Sequence, residues 1–118
     1  MPINFPTDGS VNESIKTMLG FLQGTPQSYN IPAQLLNRQG KANGELVGGN
    51  LSILYSIQGS ISALNTEGKI LFIEDLDEYI YHIDRMMINL KRSGKLSKLS
   101  GLIVGGMSDM HDNTVPFG

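Results

Sequence analysis

An α/β domain with a partly parallel sheet is the fold class this sequence predicts. Two observations carry it. Short apolar runs at Leu46–Val47, Ile70–Ile73 and Leu102–Val104 alternate with segments whose apolar residues recur at helical spacing. The last two runs also lack the polar alternation of a strand with one wet face, so they read as buried strands. Strands that alternate with helices are joined by crossovers, which gives parallel neighbours.

The elements follow in order. Residues 1–9 are irregular, with two prolines and Thr7-Asp8-Gly9. Ser10-Val11-Asn12-Glu13 fits a capping box, a hydroxyl and a carboxylate three apart serving the free amides of a helix start. Val11, Ile15, Met18, Leu19 and Leu22 continue it, and Gly24 and Pro26 close it. Residues 28–37 turn extended, with Pro32 at an edge or bend because it cannot donate to a ladder. Arg38–Asn43 is a polar turn. Gly44-Glu45-Leu46-Val47 is a short strand ending in Gly48-Gly49.

Asn50 then caps a helix with Leu51, Leu54, Tyr55 and Gln58 along one side, broadened by Ile53 and Ile57 and ended by Gly59. Lys69–Ile73 is the clearest strand, followed by Glu74, Asp75, Asp77 and Glu78. The next helix carries Ile80, Ile83, Met87 and Leu90 on one face, with Lys91 and Arg92 suiting its C-terminal dipole and Gly94 stopping it. The strand Leu102–Val104 ends in Gly105-Gly106, and a polar tail follows.

Composition narrows the function classes. A chain of 118 residues is long enough to bury a core without staples. No cysteine is present, which removes disulfide and thiol chemistry and fits a reducing compartment. A formal charge of −2 gives no broad basic surface for nucleic acid or anionic lipid. No apolar run reaches the roughly 20 residues that cross a bilayer. The first six residues show no basic region followed by an apolar one, so no signal peptide is read.

Three constellations bear on chemistry. Gly48-Gly49-Asn50 lets the backbone approach another group closely, and the amides of the helix start after it can hold an anion. A tight strand-to-helix turn is the competing reading. The spacing fits neither a dinucleotide fingerprint nor a P-loop. Glu74 lies just past the end of a buried strand, where open α/β sheets place their sites, and there a carboxylate can act as acid, base or orienter of a histidine. The competing reading is an acidic loop before a helix. Ser108-Asp109-Met110-His111-Asp112 flanks a histidine with carboxylates, but a solvated loop accounts for it better than a metal, which needs three or four ligands. His82 and His111 receive no role, no metal or cofactor is read, and no G-x-S-x-G elbow is present.

Together the segments resemble the C-terminal domain of LD-carboxypeptidases and the related microcin C immunity peptidases. Gly44 to Ser52 is similar to the family's G-x-L-x-G-G-N-L-S stretch, and Gly68 to Asp75 to its strand ending in Glu-Asp. Tyr81 to Leu90, with Ile83-Asp84-Arg85-Met86, resembles the Y-x-I-D-R-x-x-x-x-L helix. Leu102 to Asp109 resembles the next strand, and Thr7-Asp8 the link from an N-terminal domain.

The resemblance implies a swivelling β/β/α-type domain over residues 10–118, preceded by a link remnant at 1–9 and incomplete at its C-terminus. It implies a cytoplasmic serine peptidase of peptidoglycan recycling that releases D-alanine from murein tetrapeptides by a Ser-His-Glu triad. Glu74 matches the triad glutamate. Gly48, Gly49 and Asn50 match a segment near the cleft, for substrate contact or support. The serine belongs to a separate N-terminal domain, and the histidine to a glycine-histidine segment beyond this tail. The chain alone is therefore expected to be inactive. Its expected partners are that serine-bearing domain, the tetrapeptide and a second copy of itself. A peptide–nucleotide substrate of the microcin type and a non-catalytic peptide-binding role are the alternatives.

Overall fold

The computed structural model describes residues 6, 10 and 12–117. The chain divides into two compact units, Met1–Arg38 and Gln39–Gly118. In the first, α1 spans Glu13–Leu22, and its cap is Asn12, whose side chain accepts the Ile15 amide at 2.9 Å. Asn12 thus takes the capping place expected of Ser10, because an asparagine directly before the helix reaches the amide three residues on. Ile15 is buried, whereas Met18, Leu19 and Leu22 are exposed. Val11 and the Thr7-Asp8 link lie outside the described residues. Residues 28–37 form no strand. A turn holds Asn37 to Gln34, and no ladder partner meets the segment among the described residues.

The second unit is a three-stranded parallel sheet in the order β1-β2-β3, with two helices. β1 spans Leu46–Asn50, α2 Leu51–Ser56, β2 Ile70–Leu76, α3 Ile80–Arg92 and β3 Gly101–Ser108. The alternation of strands and helices is the predicted one, and each crossover joins parallel neighbours. β1 starts two residues beyond the expected Gly44 and runs through both glycines.

The core is Leu51 and Leu54 of α2, Leu71 and Ile73 of β2, and Met86 and Leu90 of α3. Each buried side chain of this size contributes roughly 1.5–3 kcal/mol relative to exposure. Met86, absent from the predicted face, is its most deeply buried α3 member, flanked by Ile83 and Met87, while Ile80 is exposed. Ile53 also points away from the core, 61% exposed.

β2 departs most from expectation. Its burial alternates: Leu71, Ile73 and Asp75 are buried, while Ile70, Phe72 and Glu74 are half-buried. Both helices contribute to the layer that covers the first face. The continuous apolar run thus concealed a period of two. β3, expected buried, is an edge strand whose Leu102, Ile103 and Val104 are exposed.

Gly48 fixes how β1 meets β2. Its φ is 134°, and a Cβ added there would fall inside the carbonyl oxygen of Phe72. Gly49 has a φ of 147° but open space around its Cβ position. Substitution by alanine should therefore separate the two. Gly48→Ala is expected to cost roughly 3 kcal/mol or more, because backbone must move. Gly49→Ala should cost about 1–2 kcal/mol from conformation alone. Urea unfolding of the two variants checks this, and equal losses would contradict the close approach.

Candidate functional site

The parallel register brings two sequence candidates together. Gly48 lies beside Phe72, Gly49 beside Ile73, and Asn50 beside Glu74. Residues 24 apart in sequence therefore become neighbours at the carboxyl end of the sheet. Parallel neighbours across a ladder lie about 4.8 Å apart.

Asn50 acts in two directions. Its Oδ1 accepts the Ile53 amide at 3.1 Å and the Ser52 hydroxyl at 2.6 Å, capping α2. Its Nδ2 donates to Asp75 Oδ1 at 2.8 Å. Asp75, 2% exposed, also accepts the Ser52 amide at 3.0 Å on Oδ2 and the Leu76 amide at 2.9 Å on Oδ1. A buried carboxylate is costly unless its oxygens are hydrogen-bonded. Here donors from both strands' ends meet that need, and in doing so they tie the β1–α2 turn to β2.

This geometry changes the reading of the Gly48-Gly49-Asn50 turn. The amides of residues 52 and 53, expected to be free for an external anion, are taken by Asp75 and by Asn50. The anion at this turn is the protein's own side chain. Sequence reasoning passed over Asp75, although Leu71, Ile73 and Asp75 share a period of two that puts the carboxylate on the core face.

Glu74 lies on the other face, with Phe72. β3 is irregular at this point: Ile73 pairs with Val104 and Asp75 with Met107, so Glu74 alone spans Gly105 and Gly106. A Cβ at Gly105 would lie 2.7 Å from Phe72 Cζ and 3.3 Å from Glu74 Cβ. The bulge and its missing side chain make room for both residues, and such bulges re-aim side chains.

The four acidic residues after the apolar run now separate by partner. Asp75 is held by Asn50 and Ser52. Asp77 Oδ1 lies 2.5 Å from His111 Nε2, and Glu78 Oε2 lies 2.6 Å from His82 Nδ1. Glu74 alone of the four has no hydrogen-bond or ion-pair partner among the described residues. The structure thus gives each histidine a carboxylate, and neither histidine is paired with Glu74. For His111 the partner comes from the β2 end, not from Asp109 or Asp112 beside it in sequence. No group of three metal-ligating side chains occurs among the described residues, and no described helix is long and apolar enough to cross a membrane.

Residues 43–116 match the family described as the LD-carboxypeptidase C-terminal domain. The Bacillus subtilis protein named probable murein peptide carboxypeptidase is 54% identical over 77 residues, covering 65% of this chain and 23% of that protein. Microcin C7 self-immunity protein MccF of Escherichia coli is 42% identical over 69 residues, 56% of this chain and 20% of that protein. Among solved structures, muramoyltetrapeptide carboxypeptidase from Oxalobacter formigenes superposes with a TM-score of 0.62 at 35% identity, covering 66% of this chain and 27% of that one. The matched part is thus between 20% and 27% of the length of these relatives.

Asp75→Asn tests the network. The amide preserves volume but sets an N–H₂ against the Ser52 amide or against the donors from Asn50 and Leu76. Asn50 cannot turn its own amide to compensate without abandoning Ile53 and Ser52. The expected loss is about 2–3 kcal/mol, as for charge-assisted bonds in a buried site. Denaturant midpoints measure it, and an unchanged midpoint would contradict the role given to Asp75.

Proposed function

The chain belongs to the family of LD-carboxypeptidase C-terminal domains, and from that premise we propose that it supplies the glutamate of a Ser-His-Glu peptidase. Glu74 is that glutamate. The carrying observation is its availability: of the four acids that follow the apolar run, Asp75, Asp77 and Glu78 are each engaged within the unit, and Glu74 has no partner among the described residues.

In this reading the serine comes from a second domain and the histidine from a further segment. The serine oxygen attacks the scissile carbonyl as the imidazole takes its proton. The imidazole returns that proton to the departing amine, and water then releases the acyl group by the reverse sequence. Glu74 accepts the imidazole's other N–H, which fixes the tautomer and stabilises the imidazolium. Asn50, beside Glu74 in register, has its side chain held by Asp75, Ser52 and Ile53, which supports a role in steadying the strand end rather than in touching substrate. Gly48 keeps that turn close to β2, and Gly49 supplies its positive φ.

The substrate is proposed as a murein tetrapeptide cleaved at its L,D-amide to release D-alanine, in the cytoplasm. The similarity to the self-immunity protein MccF supports a second substrate class, a peptide–nucleotide conjugate. The serine-bearing domain would choose between them, since it holds the other side of the cleft. The exposed apolar side chains of β3 support a role in docking that domain or a second copy. A binding domain without turnover is the outcome if catalysis is absent.

The test is to mix the chain with a serine-bearing domain and a histidine-bearing strand of the family, and to follow D-alanine release from a murein tetrapeptide. The chain alone is expected to give none above blank. Assembly should produce turnover, and Glu74→Gln should lower kcat by roughly 10²–10⁴-fold, as when the orienting carboxylate of a triad is neutralised. Full activity of Glu74→Gln would contradict the assignment. No turnover despite demonstrated assembly would favour the binding role or the other substrate.

A further inference from the structure

His111 gathers more contacts at the sheet's carboxyl end than a solvated tail residue requires. Its amide donates to Glu78 O at 2.9 Å, and its carbonyl accepts the Ile80 amide at 2.9 Å. Its Nε2 lies 2.5 Å from Asp77 Oδ1, and its ring lies 5.5 Å from that of Tyr79. Tyr79 and His111 form an isolated parallel bridge beyond the ends of β2 and β3. The two strands therefore part after Leu76 and Ser108 and pair again three residues later.

The way they part is also informative. Asp77 and Asp109 occupy matching places just after the two strands, and both have positive φ, 61° and 52°. They are the described non-glycine residues in that region of backbone space. Such conformations persist where the surroundings over-determine them. Asp77 is held by its amide on Ser108 O at 3.0 Å and by its carboxylate on His111. Helix α3 depends on the same contact. Its cap residue Tyr79 makes no side-chain capping bond, so the Ile80 amide, unsatisfied within the helix, is met by His111 from another segment.

We infer that His111 is a positioning residue: it clasps the Asp77–Tyr79 loop to the segment after β3 and so fixes the strand end that carries Glu74 and Asp75. The clasp stands on geometry alone. Its consequence for turnover rests on the reading of Glu74 given above. The segment leaving β3 is also the one that leads onward from the clasp, so the clasp sets its direction relative to Glu74.

Amide hydrogen exchange in this chain tests the clasp. His111→Ala should speed exchange at Ile80 and at residue 111 about tenfold or more, while the sheet amides of Leu71 and Ile73 stay protected. His111→Gln, whose Nε2 can still donate to Asp77, should restore protection to within about threefold. Asp77→Ala should reproduce His111→Ala, and the double variant should add little. Unchanged exchange in His111→Ala would overturn the inference. So would a loss spread equally over Leu71 and Ile73, which would make His111 a general stabilising residue, or a failure of glutamine to rescue. In the assembled peptidase, His111→Ala should lower kcat about tenfold with KM within about twofold, and glutamine should restore it. An unchanged kcat there overturns the positioning role. Absence of turnover in the unsubstituted assembly favours the binding role or the other substrate, as above, and leaves exchange to decide the clasp.

Discussion

The Asp75 carboxylate, buried in the second unit and fully engaged, is the constraint on which the rest of the site depends. A charge in that place is tolerable only with donors on both oxygens. Asn50 Nδ2, the Ser52 amide and the Leu76 amide provide them. The same bonds cap α2, lock the β1–α2 turn and fix the rotation of β2. Once Asp75 points into the core layer, the pleat sends Glu74 to the opposite face. The position of the candidate catalytic carboxylate is therefore a consequence of its neighbour's burial.

The two faces of β2 give that placement meaning. The core layer of α2 and α3 side chains packs on Leu71 and Ile73. Glu74 shares the other face with Phe72, where Gly105 leaves the space that a side chain would fill. Gly48 does the corresponding work on β1, where its backbone approaches Phe72 too closely for any Cβ. Glycines on both flanking strands thus border the Phe72–Glu74 pair. Beyond it, Asp77 and Glu78 are committed to His111 and His82, which keeps Glu74 distinct among four clustered acids.

Much of this was legible in the sequence. The alternation of strands and helices, the Asn50 cap and the resemblance of residues 44–52, 68–75, 81–90 and 102–109 to one family all stand, whereas Glu74, expected just past its strand, lies within β2 because the ladder to β3 continues to Leu76. Failures arose where burial depends on what covers a surface. Ile70–Ile73 and Leu102–Val104 read as doubly buried because apolar runs are so when both faces are covered, and here the second unit's two helices both contribute to a single core layer. The extended segment at 28–37 has strand-like residues but no ladder partner among the described residues. Asp75 was missed because a carboxylate in a loop-like acidic run reads as solvated. Only its phase with Leu71 and Ile73 marks it as a core residue. The pairing of His111 with Asp77, 34 residues away, depends on two strand ends turning together, which local patterning does not encode.

The most direct measurement is the structure of this chain assembled with a serine-bearing domain and the histidine segment of the family. The account predicts an imidazole nitrogen within about 2.6–3.2 Å of the Glu74 carboxylate, with Asp75 still bound to Asn50 and Ser52 and His111 still on Asp77. An imidazole seated on Asp75, Asp77 or Glu78, or a Glu74 left facing solvent in the closed assembly, would contradict it.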